Sequence, residues 1–255
     1  MKITFLGSGT SAGVPSIGCK CNVCCSGDTK NIRLRSSILI EHSNNNILVD
    51  TATDLRMQVL ANNVRNINVV LYTHAHADHI HGIDELRSFN YIQKQRIPCY
   101  GNKETIDKIR NMFSYIFSND DEDMKGGFRP MLDVNIISSS FTLFDLKITP
   151  IKIFHGKMEI TGYRFDDVAY ITDCSYIPEE SMKALKGLDI LILDALRFNP
   201  HPTHFSLDQA VEVAGELKAK RVIFTHLTHH FDYNKVNKEL PDHMELAYDG
   251  MVINI

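Results

Sequence analysis

The sequence predicts an α/β fold with sheets in the middle and helices outside, and three observations predict it. Short strand-like runs recur along the whole chain, several of them continuously apolar. Helix-like segments lie between them. The polar side chains best suited to chemistry fall where the apolar runs stop.

The strand-like runs are, in order, KITFLG, SSILIEH, NILVD, INVVLYT, LKITPIKIF, EITGYRF, VAYITD, LDILILDA, RVIFTH and MVINI. Unbroken Val/Ile/Leu runs suit strands covered on both faces, whereas a half-solvated strand alternates. Helices are expected over Thr53–Ala61, Ile83–Phe89, Glu104–Phe117, Pro178–Lys186 and Ser206–Lys218. The last has the clearest start: Ser206, with Gln209 three residues later, makes a capping box ahead of an amphipathic run. Hairpin turns fit SNNN at Ser43–Asn46, the Asp166–Asp167 pair and Asp249–Gly250. The acidic NDDEDMKGG, Asn119–Gly127, reads as a solvated flap, and no repeat or linker divides the chain.

A chain of 255 residues can bury a substantial core as one large domain or two small ones. With 44% hydrophobic and 23% charged residues and a formal net charge of −4, it is an ordinary soluble composition. That weak acidity gives no footprint for nucleic acid, so a polyanion would need a local basic patch. The opening MKITFLGSGTSAGVP is too short and too broken by glycine for a signal or a membrane span. A cytoplasmic protein with no membrane partner is expected. Cys19, Cys21, Cys24 and Cys25 lie within seven residues, while Cys99 and Cys174 stand alone. Disulfide frameworks belong to small secreted chains, so the cluster reads as metal-binding or reactive in a reducing compartment. Cys99 and Cys174 read as small buried hydrophobes.

The densest chemistry is THAHADHIHG, Thr73–Gly82. His74, His76, Asp78 and His79 follow INVVLY; Asp50 follows NILV, His155 follows ITPIKIF, Asp173 follows VAYI by one residue, and His226 follows RVIFT. Loops at strand ends are held by a rigid sheet yet can converge, which suits the assembly of a site. Zinc and related ions take imidazole and carboxylate ligands. The H-x-H spacing lets two imidazoles approach one ion, with Ala75 out of the way. Asp78 and His79, adjacent as a helix begins, can turn toward a second. Two such ions, about 3.5–4 Å apart, need further ligands and a shared carboxylate, for which His155, His226 and Asp173 are available. His81, one turn into the helix, reads as a bystander. Gly82 would let the helix start pack close to the loop.

THAHADHIHG resembles the T-H-x-H-x-D-H-x-x-G signature of the metallo-β-lactamase superfamily, and FHG at His155, TDCS at Asp173 and THLTH at His226 follow in that family's order. The resemblance covers nearly the whole chain. It implies a four-layer αββα sandwich, with residues 1–255 as a single domain of that type. It also implies that His74, His76 and His155 hold one ion, that Asp78, His79 and His226 hold the other, and that Asp173 bridges. Asp50 would orient ligands rather than bind metal. GSGTSAGVPSIGCKCNVC and NPHPTHFSLDQA are similar to a subgroup containing the cyclic phosphodiesterase of phosphonate breakdown and, more distantly, ribonuclease Z. That subgroup implies a closed structural zinc on Cys19, Cys21, Cys24 and His229, in a Cys-rich loop at about residues 18–30, and a general acid at His204. Cys25 and His230 have no role in the pattern.

The function so implied is dinuclear metal-dependent hydrolysis of a cyclic phosphate, nucleotide or short nucleic-acid phosphodiester. A hydroxide bridging two divalent ions (zinc, manganese or iron) attacks, Asp78 holds an ion and orients the nucleophile, and His204 protonates the leaving oxygen. Arg33, Arg35 and Arg87 read as surface salt-bridge residues, with phosphate or sugar contact as the alternative. A ribonuclease Z-like tRNA 3′-processing activity would need an RNA-gripping arm. Residues 102–130 are the only place for one, and their acidic run argues against it. A thioester or lactam hydrolase, and a non-catalytic metal- or ligand-binding module, are the remaining alternatives. The expected partner is a small phosphodiester or nucleotide substrate, without a stable nucleic-acid complex; a homodimer follows from the habit of the group.

Overall fold

The computed structural model describes residues 1–117 and 129–255, and within them two seven-stranded sheets lie face to face. The first contains β1 (Lys2–Gly7), β2 (Ser37–His42), β3 (Asn45–Val49), β4 (Val69–Leu71), β5 (Ile97–Gly101) and β6 (Leu132–Ile136). The second contains β7 (Phe141–Leu143), β8 (Leu146–His155), β9 (Met158–Phe165), β10 (Val168–Ile171), β11 (Ile190–Asp194), β12 (Arg221–Thr225) and β13 (Met244–Leu246). A last strand, β14 (Val252–Asn254), returns to the first sheet beside β1. Both sheets share one pattern. Three antiparallel pairings join β14, β1, β2 and β3, followed by three parallel ones through β4, β5 and β6. In the second sheet β7 to β10 pair antiparallel and β10 to β13 parallel.

Helices cover the outer faces. On the first sheet lie α1 (Leu55–Ala61), α2 (Ala77–Ile80), α3 (Leu86–Gln93) and α4 (Lys103–Met112); on the second lie α5 (Glu179–Ala184), α6 (Leu207–Leu217) and α7 (Tyr233–Asn237). Side chains alternate between strand faces, so an apolar run feeds two cores at once. Ile38 and Ile40 enter the core between the sheets, where they join Phe165, Ile190 and Ile192 from the opposite sheet. Leu39 and Leu48 point the other way, against Leu55, Val59 and Leu86 of the first helical layer. Leu191 and Leu193 do the same toward Leu207, Ala210 and Leu217 of α6. Three cores between four layers make the expected αββα sandwich.

The capping box is formed: Gln209 N–H donates to Ser206 Oγ at 3.3 Å, and Ser206 N–H donates to Gln209 Oε1 at 2.9 Å. Ser43 and Asn44 turn β2 into β3 with φ of 47° and 60°, as an Asn-rich two-residue turn requires. Asp166, with φ 48°, turns β9 into β10. The third expected hairpin is not one. Asp249–Gly250 connects β13 to β14, which belong to different sheets. The Asp249 carboxylate explains the crossing: it accepts from Ser8 N–H at 2.9 Å, Ser8 Oγ–H at 2.7 Å and Leu34 N–H at 2.7 Å, which ties the connection to the first sheet. The helix expected over Glu104–Phe117 stops at Met112, because Phe113 leaves helical geometry at φ −114°, ψ 43°, and a 3-10 turn, Ser114–Ile116, follows. The acidic Asn119–Gly127 stretch lies outside the described residues. No helix among them is long and apolar enough to cross a membrane.

Candidate metal centre

Equivalent strand ends in the two sheets carry the polar residues. Asp50 follows β3, the last antiparallel strand of its sheet, and Asp173 follows β10, the last antiparallel strand of the other. The next strands, β4 and β11, lead to Thr73–His74 and end on Asp194 respectively; β12 leads to His226, and β8 ends on His155. Asp50, Asp173 and His226 have φ of 64°, 56° and 62°. That left-handed conformation is costly for a residue with a side chain, and here it turns the chain sharply where each strand stops.

The expected ligands converge. The rings of His74 and His76 are 4.6 Å apart, those of His76 and His155 5.0 Å, and those of His74 and His155 5.8 Å. Donor atoms of Asp78, His79, Asp173 and His226 all lie within 4.8 Å of one another. Asp173 faces both groups: its Oδ1 is 3.2 Å from His79 Nε2, and its Oδ2 is 3.2 Å from His226 Nε2 and 3.9 Å from His74 Nε2.

Hydrogen bonds on the far side of three rings set which nitrogen faces inward. Asp50 Oδ2 accepts from His79 Nδ1–H at 2.7 Å. The same oxygen accepts from Thr73 Oγ1–H at 2.7 Å, which leaves the threonine oxygen to accept from His74 Nδ1–H at 3.0 Å. His155 Nδ1–H donates to Thr203 O at 2.8 Å. Each imidazole is thus held through Nδ1 and turns Nε2 inward, the atom a cation binds when it carries no proton. The Nε2 atoms of His74, His79 and His226 are buried without a hydrogen-bond partner. A buried polar atom left unpaired costs about 1–3 kcal/mol, so several at one point mark a place built for a cation.

The electrostatics agree. Burial holds His74 well below its usual range, and His76 and His155 below theirs, which favours neutral, ligating imidazoles. Burial also pushes His79 and His226 down, but facing carboxylates, Asp173 foremost, carry both above the usual value. Against burial, these imidazoles hold Asp78 and Asp173 below the usual carboxylate range. Carboxylates that stay ionised here leave the cluster suited to divalent cations.

His204 sits just outside this cluster. Its ring is 4.5 Å from that of His155 and stacks at 4.8 Å on that of His226. Asp194, which sequence reasoning missed, holds it from behind: Oδ2 accepts from His204 Nδ1 at 3.3 Å and from Phe205 N–H at 3.1 Å, while Oδ1 is 3.5 Å from His226 Nδ1. The signal was present, since Asp194 closes an apolar strand just as Asp50 does. Gly156 completes the wall. At φ 62° it lies against the loop carrying His204, and a Cβ there would be 2.8 Å from Thr203 Cγ2. Gly82 allows the other close approach, its would-be Cβ lying 2.1 Å from Ala52 O. His81 is exposed and packs edge-on against Phe113, outside the cluster.

A second cluster joins distant parts of the chain. His229 Nδ1 lies 3.2 Å from Cys19 Sγ, 3.3 Å from Cys24 Sγ and 3.8 Å from Cys21 Sγ. Cys25 is exposed and apart from it; Cys99 and Cys174 are buried. Arg33 corrects an expectation. It is not a surface residue but is 1% exposed, donating to Thr228 O at 3.0 Å, Phe231 O at 2.8 Å and Asn31 Oδ1 at 3.3 Å. The peptide carbonyls around His229 thus take the guanidinium, and it fastens the cysteine loop to the loop bearing His226. Arg35 pairs with Asp54 at 3.1 Å, as expected of a salt-bridge residue, and Arg87 is exposed on α3. Lys108 on α4, which the sequence did not single out, lies 3.9 Å from Met158 Sδ, and its charge reaches His76.

Residues 45–227 match the β-lactamase superfamily domain, and the chain belongs to that superfamily, as a hydrolase of the metallo-β-lactamase fold. A crystal structure of a diphosphatase from the PhnP family is 41% identical and superimposes with a TM-score of 0.92, covering 100% of this chain and 97% of that one. An octanoyltransferase of Porphyromonas gingivalis is 33% identical over 98% of this chain; the chain spans about half, 51%, of that relative's length. Human tRNase Z, short form, shares the fold at 20% identity and a TM-score of 0.71, covering 100% of this chain and 99% of that one.

Proposed function

We propose that the chain is a dinuclear phosphoesterase that cleaves a small phosphodiester or diphosphate, such as a cyclic phosphate, a nucleotide or a short nucleic-acid end. Asp173 is the observation that carries this reading. One carboxylate faces His79 and His226 on one side and His74 on the other, as a ligand shared by two ions must. In this account His74, His76 and His155 hold one ion, and Asp78, His79 and His226 hold the other. Zinc, manganese and iron all suit the donor set. Bound there, such ions supply positive charge for the phosphoryl oxygens and lower the pKa of water to about 7. Asp50 keeps His79 aimed inward, and through Thr73 it does the same for His74. His204, backed by Asp194, gives its Nε2 proton to the departing oxygen as the bond from phosphorus to that oxygen breaks and a water oxygen takes its place. The Cys19, Cys21, Cys24 and His229 group would hold a structural zinc that braces the loop between His229 and His226. The 41% identity to a PhnP-family diphosphatase supports phosphoryl chemistry over thioester or lactam cleavage.

The test is turnover of bis(p-nitrophenyl) phosphate, of P1,P2-diadenosine diphosphate and of 2′,3′-cyclic AMP by protein loaded with manganese or zinc. His204→Ala should lower turnover of 2′,3′-cyclic AMP, whose departing alkoxide needs a proton, by about 10²–10⁴-fold while folding and metal content are kept. It should largely spare the nitrophenyl ester, whose leaving group needs no proton. Absence of turnover of all three compounds with any divalent metal would reject the reading.

A further inference from the structure

His201 is a half-buried imidazole on the loop between β11 and α6, beyond the groups used above. Its ring lies 5.2 Å from that of His204, on a path leading outward from the His155 and His226 rings. Thr203 N–H donates to His201 Nδ1 at 3.3 Å, and the Thr203 hydroxyl lies 3.1 Å from the same atom. Nδ1 is therefore the acceptor, and in the neutral ring the proton sits on Nε2. No atom among the described residues accepts from that Nε2–H.

The platform beneath it is rigid. Pro200 and Pro202 flank the residue and restrict the backbone. Arg197 locks the loop, with Nε donating to Asn199 O at 3.0 Å and Nη2 to Pro200 O at 2.8 Å. Thr203 in turn packs on Gly156 and accepts from His155 through its carbonyl. A donor held this firmly, with its tautomer set and nothing in the protein to receive its proton, is preorganised for a ligand. Its place beside His204 fixes which part of the ligand it meets, because His204 serves the departing oxygen.

We infer that His201 binds the leaving half of the substrate, donating Nε2–H to an oxygen just beyond the scissile bond, and so selects substrates whose leaving group is itself a phosphate. The inference rests on the phosphoesterase reading and on His204 as the proton donor. In a diphosphate the leaving phosphoryl carries non-bridging oxygens at that point; in a nitrophenyl ester the ring carries none.

The experiment compares wild type, His201→Ala, His201→Asn and His201→Gln on diadenosine diphosphate and on bis(p-nitrophenyl) phosphate, in the metal-loaded protein. Asn keeps an acceptor where Nδ1 stood, so it preserves the Thr203 contact and the loop but lacks the outward donor. Gln carries a donor where Nε2 stood. His201→Ala and His201→Asn should lose about 10- to 100-fold in kcat/KM on the diphosphate, as expected for a hydrogen bond to a charged group, and stay within about twofold on the nitrophenyl ester. His201→Gln should recover most of the loss, and the pH–rate profile should keep its shape in all three. Restoration by Asn, or equal losses on both substrates, would overturn the inference and leave the phosphoesterase reading standing. Failure of the wild type on both substrates and on 2′,3′-cyclic AMP would remove that reading and this inference with it.

Discussion

Asp50 and His79, both wholly buried, share a 2.7 Å hydrogen bond from Nδ1–H to Oδ2. The second carboxylate oxygen is also taken, by Thr73 N–H at 2.8 Å. Asp50→Asn must therefore turn its amide NH2 toward one of these donors, the His79 ring or the Thr73 backbone. Metal retention and turnover should each fall by about 10- to 100-fold. Metal content after dialysis, set beside turnover, checks this. Full retention would contradict the orienting role.

Asp194→Asn tests the support behind His204. Both carboxylate oxygens face donors, Oδ2 toward His204 and the Phe205 backbone and Oδ1 toward His226. An amide satisfies one side only. With 2′,3′-cyclic AMP, whose alkoxide leaving group needs a proton, kcat should fall by roughly 100-fold with little change in KM, since the loss is in proton delivery. A purely raised KM would point to substrate binding instead.

The cysteine cluster predicts a separable effect. His229 follows His226 by three positions, and Arg33 ties the same loop down. Cys24→Ser should release one zinc per chain and lower Tm by about 5–10 °C. Cys25→Ser, at an exposed thiol outside the cluster, should do neither.

Asp249 gives a pH signature of stability. Burial pushes its carboxyl up to about 6, against the pull of its hydrogen bonds to Leu34 and Ser8 and of the Arg33 charge. In the unfolded chain the value is about 3.9. The folded state then binds the proton more tightly, so the stabilisation is complete below about pH 4 and is lost as pH rises through about 6, by about 3 kcal/mol from this group. Asp249→Asn should remove that slope. Denaturation midpoints for both proteins at pH 4.5 and 7 would reveal it as a difference, and identical slopes would contradict it.

Much of this was legible in the sequence, for a physical reason. Residues such as Leu39 and Leu48 sit among inward-facing isoleucines because both faces of their strands are covered, and unbroken apolar runs record that. The strands that went unexpected lack the signal. β5 carries Pro98, which usually marks a run as something other than a strand; β6 is interrupted by Asp133 and Asn135 and is largely exposed; β7 and β13 are three residues each. Asp249 read as a hairpin turn because its local residues suit one, and only Ser8 and Leu34, more than two hundred residues away, make it a crossing between sheets. Arg33 looked like a surface cation for the same reason: the carbonyls that bury it, on Thr228 and Phe231, are remote in sequence. Asp194 closes an apolar run like Asp50, yet it gains its meaning only once His204 and His226 fold around it.

The most direct measurement is a metal titration of the apoprotein, following diadenosine diphosphate turnover against equivalents of manganese added after the cysteine site is filled with zinc. The account predicts that activity rises to saturation at two manganese per chain and that Asp173→Ala abolishes the rise. Saturation at one equivalent, or binding of two without turnover, would contradict it.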